Sequence, residues 1–265
     1  MNASLPLPLD VRLMNFTTAL MASGLLLAAL AALLWWGLRN PVFAIGQITV
    51  TGDTQHNSAA SLRAVALPRL AGNFFTLDLD EARAAFEAAP WVRKAVVRRE
   101  FPNRLVVELQ EHVPVARWGE GDSDLVDAAG VVFDTGGAGG SDDEAGELPL
   151  LLGPDGQAPE VLAMYRALVP VLRPLGSPIA TLELQPRGHW RAELAAGTEI
   201  ELGQGEPAEL APRLARFAAT AGEVAARYRR GAEAIESADL RHHGGYALRL
   251  RGVATGGEQA ANKAR

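Results

Sequence analysis

A charge-free apolar stretch near the amino terminus constrains this chain more than any other feature. No Asp, Glu, Lys or Arg occurs from Leu13 to Leu38, and the most apolar part runs from Ala19 to Trp36. A helix that rises about 1.5 Å per residue covers roughly 27 Å over that part, close to the ~30 Å hydrocarbon thickness of a bilayer. The pattern predicts a membrane-spanning helix whose Trp35 and Trp36 lie in the headgroup layer, which favours amphipathic rings.

A cleaved secretory signal is the alternative interpretation of this stretch. Its apolar core is usually ~7 to 15 residues long and ends in small residues, whereas the run here is longer and closes with two tryptophans. The flanking Arg12 and Arg39 give little bias under the positive-inside rule, so the short tail alone favours a cytoplasmic amino terminus. We expect a short cytoplasmic tail over residues 1–17 and a retained transmembrane helix over 18–38.

Composition limits what the remaining chain can do. The net charge of -6 argues against nucleic acid as a partner, because phosphates require clustered Lys and Arg. The absence of cysteine excludes disulfides, thiol catalysis and cysteine metal sites. About 225 residues follow the predicted span, enough for one large domain or two ordinary ones of ~100 to 150 residues.

The first part of the remaining chain has the pattern of a small mixed domain. Asn57 or Ser58 can cap one short helix, and Asp78 or Asp80 can cap another. The predicted elements are a strand over 44–51, two helices that end near Pro68 and before Pro90, and strands over 92–99 and 105–111. The predicted order is therefore β-α-α-β-β.

The second part predicts further strands and two helices. One helix is expected from Pro159 to about Leu172, and a longer one begins near Pro207. The apolar stripe of the longer helix comprises Leu210, Leu214, Phe217, Ala221, Val224 and Tyr228. The polar, Gly-rich tract 135–147 reads as a mobile loop, and a last strand over 245–251 is expected at a sheet edge.

Several motifs in a fixed order resemble one family. They include Pro90-Trp91-Val92, Phe101-Pro102-Asn103-Arg104-Leu105, the run from Glu111 to Trp118 (EHVPVARW), Leu125-Val126-Asp127 and Gly153-Pro154. This order resembles the FtsQ/DivIB cell-division proteins. Together with the predicted transmembrane helix, the resemblance implies an α+β fold that contains a polypeptide-transport-associated (POTRA) domain over 43–112 and a mixed β domain with flanking helices over 113–251. Residues 252–265 have few apolar groups, so we expect a disordered tail there.

A search for catalytic chemistry finds no candidate set. The sequence contains no HExxH, GxSxG, SxxK or GK[ST] pattern, so we expect no enzyme, no cofactor and no small-molecule substrate. His242 and His243 are adjacent and would point to opposite faces of a strand, which disfavours a shared metal ion. Asp127 and Asp239 have no partner acid, so we expect them to accept hydrogen bonds in turns or at strand ends.

The resemblance also implies a binding site. In this family the partner FtsB, in a complex with FtsL, adds a strand to the last strands of the β domain. The implied site residues are Arg187, His242, His243, Gly244, Gly245, Tyr246, Ala247 and Leu248. Arg187 would donate an ion pair to a partner glutamate. His242 departs from the family, which often has tyrosine there, and Tyr246 either supplies substitute apolar area or is an ordinary core or edge side chain.

The function implied by the resemblance is that of a non-enzymatic scaffold in the bacterial divisome. Such a scaffold links early cytoplasmic-side and late periplasmic division proteins, among them FtsK, FtsW and FtsI, and helps control septal peptidoglycan synthesis. It lies in the cytoplasmic (inner) membrane at the septum, with its bulk in the periplasm. The alternatives are a membrane-anchored peptidoglycan hydrolase, for which no residues can be nominated, and a POTRA-type protein-translocation module.

Overall fold

A computed structural model describes residues 9–38, 40, 43–121, 123–136, 148–242 and 244–253. The chain divides into two compact units, residues 1–111 and 112–265. His243 and most of the predicted loop 135–147 and tail 252–265 lie outside the described residues. The domain boundaries expected from the sequence stay predictions.

The apolar stretch forms a single long helix, α1 (Leu9–Leu38). Its segment Leu13–Gly37 has a mean hydropathy of 2.0 and no buried residue, so it is long and apolar enough to cross a membrane. The hydroxyls of Thr17 and Thr18 donate to the carbonyl of Met14, which satisfies both polar groups within the helix. An apolar helix of this length fits a single-pass membrane protein.

The rest of the first unit has the predicted β-α-α-β-β order. Its elements are β1 (Gln47–Gly52), α2 (Ala59–Ala66), α3 (Leu79–Glu87), β2 (Val92–Glu100) and β3 (Arg104–Glu111). The sheet order is β1-β3-β2, with β1 parallel and β2 antiparallel to the central β3. Ser58 and Asp78 cap the helices, as two of the predicted alternatives. Leu105, Val107 and Leu109 share the buried face of β3.

The second unit is a nine-stranded mixed sheet with two helices. Its elements are β4 (Pro114–Trp118), β5 (Asp124–Asp127), β6 (Val132–Asp134), β7 (Leu150–Leu152), α4 (Ala158–Leu172), β8 (Ile179–Leu184), β9 (Trp190–Leu194), β10 (Glu199–Gly203), α5 (Pro207–Arg227), β11 (Ile235–Asp239) and β12 (Ala247–Leu250). The strand order is β12-β11-β10-β9-β8-β7-β4-β5-β6. Both units together give the predicted α+β class.

The core of the second unit lies between this sheet and its helices. Leu182 and Leu184 of β8 face Ala192 and Trp190 of β9 in an antiparallel pair, and all four are buried. The predicted stripe of α5 is right as far as Ala221, since Leu210, Leu214, Phe217 and Ala221 are fully buried. The stripe is wrong at its end: α5 stops at Arg227, and the ring of Tyr228 is 58% exposed.

Candidate protein-interaction edge

Strand β12 lies at one end of the nine-stranded sheet and, within the described residues, pairs with β11 alone. The amide of Arg251 donates to the carbonyl of Ala234 at 2.8 Å. In an antiparallel pair the backbone groups of alternate residues face the partner strand. Because Arg251 faces β11, residues 249 and 247 do so too, and the backbone N–H and C=O of Leu248 point to the open edge.

The side chains of β12 alternate between the core and solvent. Leu250 is buried, and Leu248 is half-buried and packs against the main core of the unit. Ala247 and Arg249 are exposed on the other face, where Arg249 lies 3.6 Å from the carboxylate of Glu236 on β11. The two leucines therefore anchor the strand to the core, while the outward backbone groups of the strand stay open to a partner.

Tyr246 fastens the start of β12 to α5. Its ring meets Phe217 edge to face at a centroid distance of 5.2 Å, and its hydroxyl lies 2.6 Å from the hydroxyl of Thr220. A ring with one apolar contact and one hydrogen bond is well held. These contacts hold the start of the strand, and the part of the Tyr246 ring that is still accessible borders a groove. The role of Tyr246 in partner binding stays a prediction.

An ion pair between Asp239 and Arg241 stabilises the turn that precedes β12. Arg241 donates from Nε and a terminal nitrogen to both carboxylate oxygens of Asp239, at 2.9 and 2.6 Å, and its backbone amide donates to Oδ1. The Arg241 hydrogen bond lowers the pKa of Asp239 to about 2, although burial opposes the shift. His242 is exposed, with Nε2 4.0 Å from Asp239 Oδ2. Gly244, at φ +88°, takes a left-handed conformation that favours glycine.

Arg187 lies in the turn between β8 and β9 and is exposed. Its carbonyl accepts a hydrogen bond from Nε2 of Gln204 at 2.7 Å, which ties the turn to the end of β10. Gly203 at the end of β10 in turn lies against Arg241. Arg187 and the residues before β12 therefore lie at the same end of the sheet, and each is fixed by backbone contacts.

A groove of about 320 Å³ adjoins this end of the sheet. Its walls include Arg213, Arg216 and Thr220 of α5 together with Gly245 and Tyr246. Arg213 donates to the carbonyl of Leu202 at 2.9 Å, which fixes its position. The two arginines were not predicted as site residues. Their spacing places them on one side of α5, but only the fold reveals that this side borders β12.

Two of the other three sheet edges differ from β12. Strand β6, at the far end of the large sheet, has three residues. In the first unit, β2 is long but carries Lys94, Arg98 and Arg99 on exposed positions and has a bulge between Val92 and Lys94. Charges and bulges of this kind discourage the addition of another strand. Strand β1 carries no charge and is a second open edge within the described part of the chain.

The titratable groups of the second unit form structural contacts. Asp127 is buried and accepts hydrogen bonds from the amides of Ala129 and Val131 at 2.8 and 2.9 Å and from His112 Nδ1 at 2.9 Å. Burial alone would raise the pKa of Asp127, but these hydrogen bonds outweigh it and lower the pKa. The prediction that Asp127 and Asp239 accept turn hydrogen bonds is confirmed. No group of three metal-ligating side chains occurs among the described residues.

Comparison with known proteins gives two family matches and a set of close relatives. Residues 43–112 match the POTRA domain, FtsQ-type, and residues 116–241 match the carboxy-terminal region of the cell division protein FtsQ/DivIB. The second match ends just before the segment that contains β12.

The relatives are similar over nearly their full lengths. The chain is 40% identical to the cell division protein FtsQ of Burkholderia pseudomallei, over 92% of this chain and 94% of that protein. It is 37% identical to FtsQ of Thiomonas arsenitoxydans, over 93% of this chain and 90% of that protein. It is 34% identical to FtsQ of Bordetella pertussis, over 91% of this chain and 92% of that protein. These relatives are named as division proteins and not as enzymes. The chain therefore belongs to the FtsQ/DivIB family of cell-division proteins.

Proposed function

We propose that the chain is a non-enzymatic scaffold of the bacterial divisome, and that β12 binds FtsB, itself in a complex with FtsL, by strand addition. The observation that carries the proposal is the open edge at β12, where the backbone of Leu248 faces away from β11. Unpaired backbone donors and acceptors at a sheet edge can bind an extended segment through main-chain hydrogen bonds alone. FtsK, FtsW and FtsI would meet the span, the tail and the POTRA domain.

Charge supports the choice of partner segment. Arg187, Arg213 and Arg216 lie at the end of the sheet where β12 begins, and Arg187 forms no ion pair among the described residues. A partner strand that carries a glutamate could pair with Arg187 while its backbone pairs with Leu248. Such rim charges set register and association rate more than total affinity.

The proposed location follows from α1. A single apolar helix near the amino terminus supports a single-pass membrane protein, and the family match is the basis on which we place the tail inside and both folded units in the periplasm. The family's place in cell division supports the further proposal that the protein concentrates at the septum and helps control septal peptidoglycan synthesis.

The test replaces Leu248 with proline in the full chain, held in lipid nanodiscs. Proline removes the outward amide and distorts the strand, which leaves a carbonyl of the bound partner strand without its hydrogen bond, at a cost of about 1–3 kcal/mol. Because each 1.4 kcal/mol is tenfold in affinity, we expect the Kd for the periplasmic segment of FtsB to rise about 10- to 100-fold. Isothermal titration calorimetry measures the change.

Leu248→Ala is the matched control, because it shortens the same side chain and keeps the amide. It should bind much more tightly than Leu248→Pro, and amide exchange on β10 and β11 checks that the sheet survives in both. Equal affinity of wild type and Leu248→Pro would reject this site. In cells, photo-crosslinkers at positions 242–248 should capture FtsB.

A further inference from the structure

Four phenylalanines of the first unit form a contiguous aromatic cluster, Phe43, Phe74, Phe75 and Phe101. Ring centroids are 4.9 Å apart for Phe43 and Phe75, 5.2 Å for Phe74 and Phe75, and 6.1 Å for Phe74 and Phe101. Phe74 is buried, but Phe75 is 45% exposed and Phe101 is 75% exposed. Large apolar rings that are exposed together indicate a contact surface.

The cluster lies at the pole of the domain where the chain arrives from α1. Gln47, the first residue of β1, pairs with Arg104, the first residue of β3. The amide of Gly46 donates to the carbonyl of Asn103 at 2.9 Å, so the turn that contains Phe101 lies beside the entry to β1. The cluster therefore adjoins the domain's amino-terminal end.

A path of backbone hydrogen bonds joins this cluster to the end of the apolar helix. The amide of Asn40 donates to Gly37, the amide of Phe43 donates to Asn40, and the amide of Phe74 donates to Phe43, at 3.1, 3.0 and 2.8 Å. Phe43 follows Leu38 by five residues, which reach at most roughly 18 Å even when fully extended. The cluster cannot move far from a bilayer that α1 spans.

We propose that the aromatic cluster inserts into the headgroup and acyl boundary of the leaflet at which α1 ends. The proposal rests on α1 spanning the membrane, and it does not depend on β12 or its partner. Rings such as Phe75 and Phe101 lose contact with water in that boundary, as the apolar face of an interfacial helix does. Trp35 and Trp36, exposed at the end of α1, are rings of the kind that favours the same layer.

Charges beside the cluster suit a lipid surface with anionic headgroups. Arg99 and Arg104 flank the turn that carries Phe101; Arg99 donates to the carbonyl of Leu77, and Arg104 lies 3.5 Å from Glu100. Glu100 offsets the charge of Arg104, so Arg99 supplies the net positive charge beside the turn. Strand β3 starts at this pole and has eight residues, so the POTRA chain ends at Glu111, up to roughly 25 Å from the lipid.

The test uses the full chain, which contains no cysteine, in nanodiscs of phosphatidylethanolamine and phosphatidylglycerol with a shallow nitroxide-labelled lipid. Phe101→Cys carries an environment-sensitive fluorophore, and Lys94→Cys, exposed toward the other end of β2, carries the same label as control. We expect quenching to be severalfold stronger at position 101. Equal quenching at both positions, or none at 101, would overturn the proposal; a surface meant for a protein partner gives the latter result in pure lipid.

A second pair of variants separates insertion from mere proximity. In the chain labelled at position 101, Phe75→Glu places a carboxylate in the cluster, while Val96→Glu adds the same charge at an exposed apolar position on β2. We expect Phe75→Glu to reduce quenching to the level at position 94 and Val96→Glu to leave it unchanged. Unchanged quenching in Phe75→Glu, with amide protection of β3 intact, contradicts insertion.

Discussion

Two sheet edges in this molecule, β2 in the POTRA domain and β12 in the β domain, are built in opposite ways. Strand β2 is nine residues long and exposes Lys94, Arg98 and Arg99 beside a bulge, whereas β12 has four residues and a single charge, Arg249, near Glu236. Length alone would make β2 the better template for an added strand. The pairing of each edge strand with its neighbour has one register shift, between Val92 and Lys94 for β2 and between Ile235 and Ser237 on β11 for β12. Charge also protects an edge, and β2 carries more of it than β12, so β12 is the less protected of the two.

This difference implies that the exposure of an edge strand does not by itself predict whether a partner strand can be added to it. Strand β12 is also well supported, because Tyr246 and Leu248 pack against α5 and the core, so its open rim is held in place before a partner arrives. A rim that is already ordered loses less conformational entropy on binding. Strand β1, which is also open and carries no charge, is the place in the POTRA domain where the same reasoning permits strand addition.

The largest expected effect comes from removing the support under each edge. Phe217 and Phe86 are fully buried, one beneath the start of β12 and the other in the POTRA core with Ala95 of β2. Each change to alanine should lower the free energy of unfolding of its own domain by about 3–5 kcal/mol. Only Phe217→Ala should greatly weaken binding of the FtsB segment, because it leaves Tyr246 without its ring contact.

Amide hydrogen exchange assigns the destabilisation to one domain, and calorimetry on the same samples gives the affinity. Phe86→Ala is the control, since it removes an equal side chain from the other core. If both variants lost partner binding to the same degree, the two domains would not act independently, and the contrast between the edges would not explain binding.

A smaller effect is expected from giving β12 the protection that β2 has. Ala247 is exposed on β12, and Ala247→Lys puts a hydrated charge beside the rim as Lys94 does on β2. We expect a loss of about 1 kcal/mol, or roughly a fivefold rise in Kd for the FtsB segment. Ala247→Thr, an uncharged residue that favours strands, serves as control. Equal weakening by Thr and Lys would show that side-chain size matters and charge does not.

The sequence predicts the β-α-α-β-β order of the POTRA domain because that order depends on local patterns. Apolar alternation and caps such as Ser58 and Asp78 act within a few residues. The sequence also predicts that the last strand occupies an edge. What it misses is long-range: Arg213 and Arg216 become part of the groove only because α5 packs beside Tyr246. Tyr228 was misplaced because the apolar stripe of α5 shifts to Ala225 in its last turn.

The aromatic cluster was missed for the same reason. Phe43, Phe75 and Phe101 are separated by more than 25 residues at each step, and no periodic pattern connects them. Only the pairing of β1 with β3 brings their rings to one pole. Contacts of this kind depend on strand register, which the local sequence does not determine.

The smallest expected effect concerns acid and the turn that leads into β12. The pKa of Asp239 is lowered from 3.8 to about 2, chiefly by its hydrogen bonds from Arg241. A carboxylate whose pKa is lower in the folded state stabilises the fold above its unfolded pKa, and this stabilisation is lost as pH falls through the folded value. We therefore expect the ion pair between Asp239 and Arg241 to weaken from about pH 4 to pH 2. Because both side chains are partly exposed, the loss should not exceed about 1 kcal/mol.

Asp239→Asn keeps an oxygen for the amide of Arg241 but removes the charge, so this variant should lack the acid-dependent component of stability between pH 4 and pH 2. The control is Asp80→Asn in the POTRA domain, which breaks an exposed pair with Arg83 and should leave stability nearly unchanged. The NMR signal of Arg241 Nε–H reports directly on the ion pair with Asp239. An identical titration of that signal in wild type and Asp239→Asn would show that the ion pair does not order the turn before β12. Gly244 and Tyr246 would then be sufficient to order the turn, and the open edge would not depend on a charge.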